Sequence, residues 1–335
     1  MKRMLPSRSA VKKAGQRAAN AGDPSKVSSE DLKILDEWRK AHLQPLTAIS
    51  MWPRNPSIKE TNLSPAQRLK RRDTLLDKII SGRARDASTM HDLGGCRLIF
   101  PDIDTLERFR TYLEDESRAQ HKLVHARDKY DYILEPKHTG YRGVHYIYGY
   151  QTRASTSYHL NGLKIEVQLR TSVQHAWATA VEIADLVFDQ RTKFEDGSGN
   201  FGEFFRISSE LLARSHENRY ACLPEYSFSD LINKFHEVER ETQLLDRLAK
   251  LREQGDTSLI REHTVLAFKA DDTLEIFGYT KSSRAVIKES ELLSDPDCIN
   301  VVYVRAATPA AIRSSYRNYL TNPADFVELM ERAIQ

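Results

Sequence analysis

From Lys164 to Thr171 apolar and polar residues alternate with period two, the spacing of a half-buried β-strand. Ile165, Val167 and Leu169 point one way, toward a core, while Glu166, Gln168 and Arg170 share the opposite face. Residues 93–100 and 144–150 read as further strands, and 144–150 and 163–170 as antiparallel neighbours. Around them the apolar period becomes helical. Leu32, Leu35 and Trp38 follow a start at Ser29-Glu30-Asp31. Leu69, Leu76 and Ile80 lie on a helix expected to run from a Ser64-Pro65 start to a Gly82 stop, with Arg68, Lys70 and Lys78 on it. Helices are also expected over 103–116, over 172–188 with Thr171 or Ser172 as cap, and near 202–220 and 227–253.

The pattern breaks at Gln254-Gly255-Asp256, and the texture changes beyond it. Residues 263–269 and 273–279 alternate across Asp271-Asp272 like a hairpin; 299–305 reads as a third strand, and 309–320 and 323–334 as closing helices. The expected organisation is a basic tail over 1–28, a main domain over 29–255 and a small α+β domain over 256–335. The whole is α/β (α+β) in class.

Composition narrows the function classes. The 335 residues are 40% hydrophobic and 29% charged, ordinary for a globular protein. No apolar run approaches the roughly 20 residues that span a bilayer, so no membrane role is expected. Cys96, Cys222 and Cys298 lie far apart with no paired spacing, which fits a reducing cytosol and a cytoplasmic protein. The net charge is only +3, yet Lys2, Arg3, Arg8, Lys12, Lys13 and Arg17 crowd residues 1–22 without an acid. Such a segment either touches nucleic acid or is simply a solvated tail.

The face of Glu166 carries candidate chemistry. Alone it fits an ordinary amphipathic strand as well as a site. Asp92, at the start of the 93–100 strand, supplies a second carboxylate, and two carboxylates on adjacent strands suit a magnesium ion that keeps waters and phosphate oxygens. Arg68, Lys70, Lys78, Arg97 and Arg170 suit a polyphosphate, whose transfer needs mostly positioning and charge stabilisation. Tyr141, after Gly140, offers a flat face to a base. Glu166 also has the chemistry to take a proton from an attacking hydroxyl.

Four stretches together resemble the RelA/SpoT-type alarmone synthetase domain: Arg68-Leu69-Lys70-Arg71; Asp92-Leu93-Gly94-Gly95-Cys96-Arg97; Asp131-Tyr132-Ile133 with Pro136-Lys137, Gly140-Tyr141 and His145; and Glu166-Val167-Gln168-Leu169-Arg170-Thr171 with His175-Ala176-Trp177-Ala178. The resemblance spans roughly residues 30–250 and implies a mixed sheet of nucleotidyltransferase type flanked by helices. It implies transfer of the β,γ-pyrophosphate of ATP to a ribose hydroxyl, with Mg2+. By motif position, Asp92 and Glu166 take the metal and base roles. Arg68, Lys70, Lys78 and Arg97 take the ATP phosphates. Tyr141 stacks on the acceptor base, and Lys137, His145, Gln168 and Arg170 line the acceptor side.

The chain also departs from that pattern. Only some 60 residues precede the first motif, which leaves no room for the metal-dependent hydrolase domain of long members, so no hydrolase activity is expected. Where synthetases using GDP or GTP have Asn and Ser around the acceptor Gly-Tyr, this chain has Thr139 and Gly143. Toxic small synthetases of the family modify the 3′ CCA end of tRNA, and the basic clusters suit that polyanion. Tyr316-Arg317-Asn318-Tyr319 resembles the YxxY motif of CapRel-type proteins, in which a C-terminal antitoxin domain covers the nucleotide site until a phage protein displaces it. The same tyrosines also fit a core stripe with Ile312 and Leu320. The expectation is therefore an ATP-dependent pyrophosphokinase acting on tRNA, restrained through Tyr316 and Tyr319 and released by a phage trigger protein. The alternatives are a (p)ppGpp synthetase using GTP or GDP, and a catalytically dead nucleic-acid-binding module.

Overall fold

A computed structural model describes residues 5–51, 66–70, 72–84, 86–114, 121–187, 199–251, 259–271, 273–305 and 323–335. Contacts gather the chain into two units: Met1–Asp131 with Val144–Arg170, and Tyr132–Gly143 with Thr171–Gln335. No helix among the described residues is long and apolar enough to cross a membrane.

The first unit begins with α1 (Arg8–Ala21), capped by the Ser7 hydroxyl and ended by Gly22 at φ 67°. Residues 1–28 were expected as a tail, but Val11, Ala14, Gly15 and Ala18 form a buried face on α1. Small side chains make that face tight: a Cβ on Gly15 would lie 3.3 Å from the Ala87 Cβ. Arg17 then pairs with the buried Asp31 of α2 (Ser29–Ala41). A third helix, α3 (Leu43–Met51), follows.

The unit's sheet is mixed and five-stranded, in the order β1-β2-β5-β4-β3. Its strands are β1 (Ala66–Leu69), β2 (Gly94–Phe100), β3 (Lys122–Leu123), β4 (Val144–Gly149) and β5 (Lys164–Thr171). The helix expected through 64–82 is a correction. Ala66–Leu69 instead pairs antiparallel with Gly94–Arg97, and only Arg72–Ile80 is helical, as α4. The Lys70 amide extends the β1 ladder to the Leu93 carbonyl at 2.9 Å. This long-range pairing overrides the local helical spacing. Gly82 does end α4, at φ 75°; the proposed Ser64-Pro65 start lies outside the described residues. The β4–β5 pairing is antiparallel as expected, with His145 opposite Gln168. Inward residues Cys96, Leu98 and Phe100 of β2 and Ile165, Val167 and Leu169 of β5 are buried, and α5 (Ile103–Glu114) adds Leu106 and Phe109. At Gly94 a Cβ would fall 2.8 Å from Ile165 Cδ1, so the absent side chain lets β2 lie close beside β5.

The second unit is helical around one core. Its helices are α6 (Ser172–Val187), α7 (Gly199–Glu217), α8 (Phe228–Thr242) and α9 (Leu244–Leu251). Thr171 caps α6 by accepting from the Gln174 amide at 3.1 Å. The helix expected over 227–253 is broken at Gln243, φ 51°. Glu239 holds the break, accepting from the Leu245 and Asp246 amides. A three-stranded sheet follows, ordered β7-β6-β8, from β6 (His263–Lys269), β7 (Leu274–Tyr279) and β8 (Cys298–Arg305). Six successive buried residues in β6 show that both of its faces are covered. Val265 and Ala267 meet Ala285 and Leu292 of α10 (Ser282–Leu293). Leu266 and Phe268 join the core of α6–α9.

The last helix, α11 (Ala324–Ala333), buries Phe326, Val327, Met330 and Ala333 in that same core. Phe326 sits among the rings of Phe204 and Phe205, with centroids 6.3 and 6.1 Å away. Strand β6 and helix α11 thus share a core with the helices that follow β5, although 256–335 was expected to form a domain of its own. Phe326→Ala should lower the unfolding free energy by about 3–5 kcal/mol in a urea titration of the full chain. An unchanged midpoint would mean that α11 is not part of this core.

Candidate functional site

On β2 the residues alternating with the core are Gly95, Arg97 and Ile99; on β5 they are Lys164, Glu166 and Gln168; His145 lies on β4 opposite Gln168. Glu166 is central. Its Oε1 accepts from His145 Nδ1 at 2.9 Å and its Oε2 from Gln168 Nε2 at 2.9 Å. A carboxylate only accepts, so Nδ1 of His145 carries the proton. Burial pushes the Glu166 carboxyl up, but hydrogen bonds from His145 and Gln168 outweigh it and hold it below its usual range. The charge of Asp92 acts on the same group in the opposite sense, so the two carboxylates address one region. Gly95 adjoins the same carboxylate: a Cβ there would stand in ordinary contact, 3.8 Å from Glu166 Oε2.

Asp92 stands at the mouth of β2. Lys70, just beyond β1, and Lys78, on α4, both donate to its Oδ2, at 2.8 and 2.9 Å. Burial raises the Asp92 carboxyl, yet the two lysines prevail and bring it down to about 2. Burial in turn lowers the Lys70 ammonium, against the pull of Asp92. The lysines expected on ATP phosphates therefore meet a carboxylate in this structure. Arg68 is exposed on β1 opposite Gly95, and Arg97 lies opposite Ala66. Arg170 is buried at the end of β5. Lys164 and His91 join the constellation, with Lys164 Nζ donating to His91 Nε2 at 2.9 Å. Neither was given a role from the sequence, although period two from Glu166 leads directly to Lys164.

Lys137 and Tyr141 belong to the second unit. Gly140, at φ 92°, turns the loop; its amide donates to the Lys137 carbonyl at 2.8 Å, and the Lys137 amide to the Tyr141 carbonyl at 3.1 Å. Lys137 Nζ lies 4.5 Å from the Tyr132 ring centroid and 5.2 Å from that of Tyr141. A side chain at Gly140 would press on Ser209 and Trp177, at 3.0 and 3.1 Å. Trp177 is a packing residue, its indole donating to the Phe205 carbonyl at 2.9 Å. Tyr316 and Tyr319 lie outside the described residues.

Residues 67–192 match the family described as "Region found in RelA / SpoT proteins". The match covers less than half of the chain. The matched segment contains Arg68, Lys70, Lys78, Asp92, Arg97, Lys137, Tyr141, His145, Glu166, Gln168 and Arg170. Among solved structures the chain is similar to the small alarmone synthetase 1 of Bacillus subtilis, at 18% identity over 62% of this chain and 97% of that one, TM-score 0.43. It is also similar to the same synthetase bound to its product pppGpp, at 18% identity over 62% and 99%, TM-score 0.41. A GTP pyrophosphokinase family protein from Streptococcus pneumoniae gives 17% identity over 63% and 96%, TM-score 0.42. No curated protein matches the chain.

The donor set within residues 67–192 suits a magnesium ion. Asp92 and Glu166 are two carboxylates addressing one region, and no cluster of three or more His, Cys, Asp or Glu suited to a metal occurs among the described residues. Magnesium is commonly held by one or two carboxylates, with waters and substrate phosphates completing its shell.

The Asp92 carboxyl carries a pH signature. Its folded value is depressed, so its contribution to stability is present above the ordinary 3.8 and is lost as pH falls toward about 2. In a 13C NMR titration the Asp92 carboxyl should show a midpoint near 2, moving toward 3.8 in Lys78→Met. A wild-type midpoint already at 3.8 would mean that the lysines do not bear on Asp92.

Proposed function

We propose that the RelA/SpoT region transfers the β,γ-pyrophosphate of ATP to a ribose hydroxyl, most favourably that of the tRNA 3′ CCA end. The observation that carries the proposal is the pair of ionised carboxylates, Asp92 and Glu166, addressing one region beside Lys70 and Lys78. Magnesium held by Asp92 and Glu166 would supply positive charge to the phosphate oxygens. Lys70 and Lys78, with Arg68 and Arg97, neutralise the triphosphate; its greater negative charge draws the lysines from the single carboxylate they now share. Glu166, ionised at neutral pH, accepts the proton of the attacking hydroxyl, and His145 and Gln168 fix its two oxygens in place. The hydroxyl oxygen bonds to the β-phosphorus, the bond from that phosphorus to the oxygen bridging to the α-phosphorus breaks, and AMP leaves with that oxygen.

The acceptor base lies on Tyr141, beside Lys137. Thr139 and Gly143 replace the residues usual for guanosine nucleotides, and α1 presents exposed Lys12 and Lys13 to a polyanion. Residues 256–335 restrain the transfer through Tyr316 and Tyr319, with a phage protein as the releasing partner. Support for a regulatory C-terminal segment comes from α11, which shares the core of α6–α9.

Incubating the full chain with γ-labelled ATP and tRNA, GDP or GTP tests the proposal. Label should appear on tRNA. Glu166→Gln and Asp92→Asn should each cut the rate on the order of 10²–10³-fold. Tyr319→Ala should raise it. Label on GDP or GTP alone would make the chain an alarmone synthetase, and no label on any acceptor would leave only nucleic-acid binding.

A further inference from the structure

We infer that Ser209, Arg142 and Glu217 are positioning residues that hold Tyr141 for the acceptor, resting on the proposed transfer in which Tyr141 receives the acceptor base. The two neighbours of Tyr141 in the chain converge on one hydroxyl. Ser209 Oγ donates to the Gly140 carbonyl at 2.6 Å and accepts from Arg142 Nε at 3.3 Å. A single side chain of α7 therefore brackets the peptide of Tyr141 on both sides.

Arg142 is itself held. It is 3% exposed and its Nη1 donates to Glu217 Oε2, in a pair whose carboxylate is equally buried. Glu217 Oε1 accepts from the Thr171 hydroxyl and from Gln174 Nε2. Gln174 turns back to accept from the Thr171 amide at 3.2 Å. The network thus joins the acceptor loop, the start of α6 and the last turn of α7. A buried charge pair of this kind allows little freedom, because any displacement leaves a charge uncompensated. The entry to the loop is fixed in the same manner within the first unit. Asp131 is buried and pairs with Arg110 Nη2 at 2.7 Å, and Arg110 Nε donates to the Tyr146 hydroxyl at 3.2 Å. The Lys137 ammonium lies over the Tyr132 and Tyr141 rings. The part of Arg142 and Glu217 is to set the direction of the Tyr141 ring and not to touch the acceptor.

Steady-state kinetics of the full chain with γ-labelled ATP separate positioning from plain stability. The acceptor probe is whichever of tRNA and GDP the wild type labels. Ser209→Ala and Glu217→Gln should each raise the acceptor KM about tenfold while leaving the ATP KM within about twofold. Glu210→Gln is the control. Glu210 lies on the same helix, fully buried, and holds the Ala221 and Leu223 amides and Arg214, away from the loop. It should lower the melting temperature but leave the acceptor KM unmoved. If Glu217→Gln fails to fold, Ser209→Ala decides. An unchanged acceptor KM in Ser209→Ala, or an equal rise in Glu210→Gln, overturns the inference while the transfer itself stands. No label on any acceptor with the wild type overturns the transfer and the inference together.

Discussion

Two carboxylates kept ionised in a sparsely solvated region are the constraint on which the rest of this chain is arranged. Burial alone would drive Asp92 and Glu166 toward their neutral forms, and each would make the other harder to ionise. The fold answers each one separately. Asp92 draws ammonium groups from the end of β1 and from α4, and Glu166 draws an imidazole and an amide from β4 and its own strand. The sheet order makes this possible. With β2 beside β5, the residue at the mouth of β2 and the middle of β5 come onto one region, and at Gly94 the missing side chain avoids a clash with Ile165.

Helix α7 plays the corresponding part in the second unit. Its inner face carries Ser209 and Glu217 to the loop that holds Tyr141. One residue before Glu217, His216 donates from Nε2 to the Leu329 carbonyl of α11 at 2.9 Å. The same turn of helix therefore bears on the acceptor loop and on the C-terminal segment. A substitution in α11 is felt in the core of the unit that holds the loop, a physical link between the end of the chain and the residues proposed to receive the acceptor.

Much of the fold was legible because the apolar period was clear. Period two marked β5 and the β6–β7 pair, and helical stripes marked α2, α5 and α6. Legibility failed where distant partners decide. Ala66–Leu69 looks like the first turns of a helix until Gly94–Arg97 is beside it. Residues 8–21 look like a solvated tail because their buried face is made of alanine, glycine and one valine, which carry little periodic signal. At the site, Asp92 and Glu166 stood out through residue type and strand position. Arg142 and Glu217 did not, since 75 positions separate them and nothing in the local pattern of either points to the other. Lys78 was noticed as a cation, but its actual neighbour, a carboxylate, appears only once α4 is set against β2.

The central claim is that Asp92 and Glu166 serve one cation beside one triphosphate. Mn2+ binding to the full chain, followed by electron paramagnetic resonance in the presence of a non-hydrolysable ATP analogue, tests it through a double-mutant cycle. If the two carboxylates share an ion, Asp92→Asn and Glu166→Gln each weaken binding, and the double variant loses no more than the worse single one. Losses that simply add, or no loss at all, would show that the two side chains do not hold a common ion and would contradict the account.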